Sequence, residues 1–158
     1  MVEPAAKAPK VQSSTGFVDP YRVFNFKLMI SGMVEGHFKQ FSGLEIRVDP
    51  ISYAEGGNPK EYFVPGRTHH DPVTLEAGFT QSRELWDWMM QVVKGTVPVP
   101  RKDVQVLLLD ADGITEKVRW TLYNAWPCAW RGARLNSMVS ELAIQRLDLV
   151  YETVDRQD

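Results

Sequence analysis

The sequence predicts a mainly β protein with one α-helix, built as a sheet that curls on itself while the helix covers an open side. Three observations carry this. Apolar and polar residues alternate, with the period of a half-buried strand, through Phe24, Phe26, Leu28 and Ile30, through Val73, Leu75, Ala77 and Phe79, and through Val118, Trp120 and Leu122. One stretch, and only one, has helical spacing. Gly, Pro, Asn and Asp pairs punctuate the chain between these segments. The expected order is five or fewer strands, the helix, then three strands. Apolar faces of that number are buried only if the sheet closes on itself or stacks on another.

Taken in order, residues 1–19 are rich in Pro, Ala, Lys, Ser and Gly without periodicity and read as a flexible N-terminal arm. The folded domain is expected over 20–152 and a short C-terminal tail over 153–158. The first strand runs from Phe24. Ser31-Gly32 turns the chain, and a short segment from Met33 to Phe41 follows. Ser42-Gly43 breaks again, and Leu44, Ile46 and Val48 begin another strand, in which Pro50 predicts an edge or a bulge. Residues 54–71 form the longest irregular stretch, with Gly56, Gly57, Asn58, Pro59, Pro65, Gly66 and the pair His69-His70. A loop this long in a compact domain is usually functional or disordered. Tyr53, Tyr62 and Phe63 lie in or beside it. Apolar groups in such a loop cost about 25 cal/mol per Å² when left in water; they are explained if the loop packs on a neighbouring subunit, while for the Gly-Gly and Asn-Pro pairs ordinary turn chemistry stays open beside a stacking role.

The helix can be capped by Thr80 or Ser82 and ended by Gly95. Leu85, Trp86, Met89, Val92 and Val93 are expected on one buried face, opposite Arg83, Asp87, Gln91 and Lys94. Pro98 and Pro100 stop its continuation. Residues 104–109 are an apolar run, Asp110-Ala111-Asp112-Gly113 is a hairpin turn, and Val118 to Leu122 is the returning strand. The last strand changes phase between Ile144 and Leu147, which predicts a bulge at Gln145-Arg146.

Composition narrows the function classes. The chain has 158 residues, 44% hydrophobic and 24% charged, with net charge −2 and five Trp. That is the composition of a folded domain, and no basic run tracks a phosphate backbone. Cys128 is alone, so no internal disulfide is expected, and it reads as a small semi-buried residue. No signal peptide or membrane span is visible. Assembly in the cytoplasm, with exit inside a larger particle, is the expected course.

No chemistry converges. A metal site would need several ligands meeting at one point, whereas His69 and His70 are adjacent and diverge in an extended chain, and His37 is distant. Exposed loop histidines fit better. Ser42-Gly43-Leu44-Glu45 lacks the spacing of a nucleophile elbow. No catalytic, cofactor-binding or metal-ligating residue is assigned, and an enzyme is not expected.

Several segments in one order carry a resemblance. They are Asp19-Pro20-Tyr21-Arg22-Val23-Phe24-Asn25-Phe26, Phe41-Ser42-Gly43-Leu44-Glu45, Tyr53-Ala54-Glu55-Gly56-Gly57-Asn58-Pro59 and Val64-Pro65-Gly66-Arg67. Thr80-Gln81-Ser82-Arg83-Glu84-Leu85-Trp86-Asp87-Trp88 and Asn124-Ala125-Trp126-Pro127, followed by Trp130, complete the series. Over residues 19–152 the chain resembles the tail tube proteins of contractile phages, above all those of extracellular contractile injection systems.

The resemblance implies a small curled β-sandwich or barrel of the tail-tube type. Six copies would close into a ring with a continuous inner β-barrel, and rings would stack into an inner tube. It implies no cofactor. The implied partners are the chain itself, contractile sheath subunits, baseplate or hub proteins and tube-terminating proteins, with DNA or a protein payload in the lumen and no membrane binding of its own. Residues 54–71 are then the expected ring-stacking loop. A baseplate-proximal, tube-initiating paralogue and a free-standing β-sandwich binding domain stay open as alternatives. For Trp126 and Trp130, core packing and an interface role both stay open.

Overall fold

The computed structural model describes residues 25–31, 33–34, 38–57, 59–78, 83–138 and 141–158. Expectations for the N-terminal arm, for Phe24, His37, Asn58 and Phe79, and for a helix cap at Thr80 or Ser82 lie outside these residues. Among the described residues there are ten strands and one helix: β1 (Phe26–Ile30), β2 (Met33–Val34), β3 (Phe38–Ser42), β4 (Ile46–Ala54), β5 (Glu61–His70), β6 (Val73–Gly78), α1 (Glu84–Val93), β7 (Lys102–Leu109), β8 (Glu116–Arg131), β9 (Ile144–Val150) and β10 (Thr153–Gln157). Six strands thus precede the helix and four follow it, more than the sequence reading allowed.

The main sheet has the order β2-β1-β7-β8-β9-β6-β3, with β10 also on β8. Its pivot is β8. Residues 119–122 of β8 pair with both β7 and β10, whereas Trp126 to Arg131 pair with β9. Between these halves Asn124 has a positive φ of 54°, a conformation Asn tolerates better than most residues. Its backbone N–H donates to Asp103 Oδ1 and its side-chain amide to Glu152 Oε2. The kink carries β8 from one layer into the other, so the sheet folds back over itself as expected.

One core lies between the layers. Leu28, Ile30, Val104, Val106 and Leu122 enter from one side, Val73, Leu75, Leu147 and Leu149 from the other, with Trp88, Ala125 and Tyr151. Each such aliphatic side chain contributes about 1.5–3 kcal/mol by leaving water. The alternation read at Val73, Leu75 and Ala77 and at Val118 and Leu122 corresponds to buried residues. The 110–113 turn also forms, closed by Asp110 N–H to the Thr115 carbonyl.

Several readings are corrected. Residues 54–71 are not one irregular loop: β5 occupies most of the stretch and pairs with β4 as a ribbon of its own. The bulge expected at Gln145-Arg146 is absent, because β9 pairs with β6 without interruption; Leu142 precedes the strand, so the apparent phase change is only its start. A bulge lies instead on β8 between Pro127 and Ala129, where proline cannot donate to a ladder and Cys128 is the extra, exposed residue. The tail beyond Glu152 is a strand in register with β8.

The helix face is rotated from its expected position. Trp88 is the buried residue, 2% exposed, and donates its indole N–H to the Pro100 carbonyl at 2.7 Å. Leu85, Trp86, Met89 and Val92 are half-buried, and Val93 is 61% exposed. The apolar centre therefore runs through 85, 88 and 92. Trp86 lies off it, edge-on to Trp130 with ring centroids 4.6 Å apart. Gly95 ends the helix as expected, donating to the Val92 carbonyl.

Candidate functional site: a two-stranded ribbon

The β4–β5 ribbon occupies the segment that the sequence reading took for an irregular loop. Its strands pair from Ile46↔His70 at the base to Ala54↔Glu61 near the tip. Pro50 falls at the register shift after Val48, as its missing N–H requires. Opposite it, Gly66 is needed for close approach: a Cβ there would stand 2.7 Å from the Asp49 carbonyl oxygen and 2.8 Å from Ile51 Cγ1. At the tip Gly57 has a φ of +86°, which other residues adopt rarely.

Along the ribbon the pairing sets two faces. Ile51 and Val64 are partners, as are Tyr53 and Tyr62, whose rings stack at 5.5 Å. Phe63, opposite Ser52, belongs to the other face with Pro50 and Pro65. All of these are exposed: Ile51 at 53%, Tyr53 at 46%, Phe63 at 64% and Val64 at 42%. Pro59 and Gly56 are exposed at the tip. An isolated two-stranded ribbon is marginal in water, and this one leaves apolar groups uncovered on both faces.

At the base the ribbon is tied to the core. The ring of His69 lies 2.7 Å, Nε2 to Oδ2, from Asp49. His70 packs edge-on to Tyr151, with centroids 5.3 Å apart, and the Tyr151 hydroxyl is directed to the Glu45 carbonyl. Burial, with Asp71 nearby, raises the Tyr151 hydroxyl above the ordinary tyrosine range. The two histidines are therefore half-buried strand residues on opposite faces, not exposed loop residues. Among the described residues no three potential metal ligands come together, and no helix is long and apolar enough to cross a membrane.

Two carboxylates on the outer face of the second layer are 9% exposed, Glu76 and Asp148. Arg146 pairs with Glu76 at 2.7 Å, and Arg131 with Asp148 at 2.6 Å. Asp148 also accepts from the Thr74 hydroxyl. Partial desolvation of its sulfur and the charge of Asp148 push the Cys128 thiol above its usual range, although the residue as a whole is exposed. Sequence reasoning missed this ladder, because its members meet only through strand register.

The fold and ribbon define a class: a β-rich protein with one core between two layers and a separate two-stranded ribbon whose apolar groups are exposed. A family model described as the T4-like virus tail tube protein gp19 matches residues 22–155, and the chain belongs to that family of structural tube proteins. Among solved structures, a chain of the PVC extracellular contractile injection system sheath-tube complex in its extended state is 24% identical, with TM-score 0.80 over 96% of this chain and 99% of that one. A chain of the PVC sheath/tube terminator is 25% identical, with TM-score 0.79 over 90% and 99%. A chain of the anti-feeding prophage baseplate, 6-fold symmetrised, is 20% identical, with TM-score 0.72 over 89% and 97%. These likenesses establish the fold. No curated protein sequence matches.

Proposed function

We propose that this chain is the repeating subunit of the inner tube of a contractile injection system or phage tail. Six copies close into a ring, rings stack within a sheath, and the tube is a conduit with no catalytic step. The observation that carries this reading is the β4–β5 ribbon. Tyr53, Phe63 and Val64 are left largely exposed, and aromatic side chains of this kind anchor interfaces. A neighbouring copy supplies the cover. Tyr53, Gly56, Gly57, Asn58, Pro59, Tyr62, Phe63, Pro65 and Gly66 are then the contact element. Family membership supports the tube role, and the sheath-tube, terminator and baseplate structures support sheath, terminator and baseplate proteins as partners. Assembly proceeds in the cytoplasm, and the finished particle carries the chain out.

Negative-stain microscopy of the concentrated protein tests this. Sixfold rings or tubes are expected. A species that sediments as a monomer at every concentration and shows no rings would overturn the reading. The likeness to a tube terminator favours a second reading, a paralogue present once at a tube end. Subunit counting in purified particles separates the two: many rings per particle for the first, one for the second.

A further inference from the structure

The strand β8 ends in two surfaces of opposite character. Before its first residue, Glu116, lies the 110–115 turn. Asp112 Oδ1 accepts the N–H groups of Ile114 and Thr115, and Oδ2 accepts the Thr115 hydroxyl. These bonds, the Thr115 hydroxyl first, hold the carboxyl down to about 2, so it stays ionised. Asp112 forms no ion pair among the described residues, and the neighbouring Ile114 is 79% exposed.

Beyond the last residue of β8, Arg131, a cleft of about 400 Å³ opens at the edge of the second layer. Lys39, Arg131, Arg134 and Arg146 line it against Glu76 and Glu141. Two of its cations are occupied, Arg131 by Asp148 and Arg146 by Glu76. Lys39, Arg134 and Glu141 are exposed and form no ion pair among the described residues, which leaves the unpaired groups of the cleft with one cation in excess. Leu142 on the wall of the cleft is 86% exposed.

The turn thus presents an unpaired anion beside an apolar tip, and the cleft presents unpaired cations beside an apolar wall. They lie at opposite ends of a 16-residue strand, so they do not satisfy each other within one copy. Resting on the tube reading, we infer that the 110–115 turn of one copy seats in the Lys39–Arg134 cleft of a copy in the next ring, as a head-to-tail contact. Such a contact joins two different surfaces and does not close, which generates a filament from rings. Arg134 is the partner of Asp112, and Leu142 receives Ile114. This contact is separate from the ribbon and sets the polarity of stacking.

Charge reversal in the full chain tests it. Asp112→Lys and Arg134→Glu should each leave rings intact but raise the protein concentration needed for tubes at least about tenfold, the change expected for ~1.4 kcal/mol. The double variant should recover tubes. Because Asp112 also closes its own turn, Ile114→Lys provides a second turn variant that leaves those bonds in place. It too should lose tubes alone and, because Leu142 receives Ile114, regain them with Leu142→Glu. At about 1 M salt, where the Debye length is about 3 Å, wild-type tubes should fall back towards rings. Tubes from the single variants at the wild-type concentration would overturn the contact, as would double variants no better than the singles. Wild-type protein without rings or tubes would overturn the tube reading, and this contact with it.

Discussion

Trp88 shows what a single side chain decides. Its ring fills the space between helix and sheet, and its N–H satisfies a carbonyl in the segment that returns to β7. Lys102 Nζ stands 5.1 Å from the ring centroid, within reach of a cation–π contact. Trp88→Ala should therefore cost about 3–5 kcal/mol in denaturant unfolding, as truncation of a large buried aromatic does. Val93→Ala, at an exposed helix position, should change stability by less than about 0.5 kcal/mol. Equal losses from the two would place the core on the other face of α1. The sequence points to a helix here, but apolar residues fill two overlapping phases, 85-88-92 and 86-89-93. Periodicity does not choose between them. The choice belongs to Pro100 and Trp130, which come near only in the folded chain.

The ribbon is the element that the sequence hid. Residues 54–71 carry glycine and proline at a density that ordinarily marks a loop. Yet Pro50 and Pro65 face each other across the register shift, where no ladder N–H is required of them. Chain-breaking composition is thus compatible with a strand when the breaks fall at bulges and the tip. Because the ribbon packs little of itself into the core, its outer part is separable. Replacing residues 52–63 by Asn-Gly should preserve the β-sheet circular dichroism and the main unfolding transition while abolishing rings and tubes. Loss of the sheet signal would show that the ribbon is part of the folding unit. Normal tubes would remove it from the interface.

At the scale of the molecule, β8 makes two layers into one body. Its first half completes the β1-β7-β10 side and its second half the β9-β6-β3 side, and the core cluster draws on both. Urea unfolding followed by tryptophan fluorescence, which reports on α1 through Trp86 and Trp88 and on β8 through Trp120, Trp126 and Trp130, should coincide with unfolding followed by circular dichroism. Separated transitions would mean that the layers unfold independently and that the Asn124 kink is a hinge. Alternation, turn residues and the ordered Trp, Gly and Pro segments were legible from sequence alone, and with them the fold class, the helix, the 110–113 turn and the family resemblance. These are local signals, written within a few residues of one another. The ribbon's two apolar faces, the rotation of the helix, the bulge at Cys128 and the Arg–carboxylate ladder were settled only by tertiary structure. Each depends on which residues meet across strands far apart in the chain, and register is fixed by the packing of all the layers together.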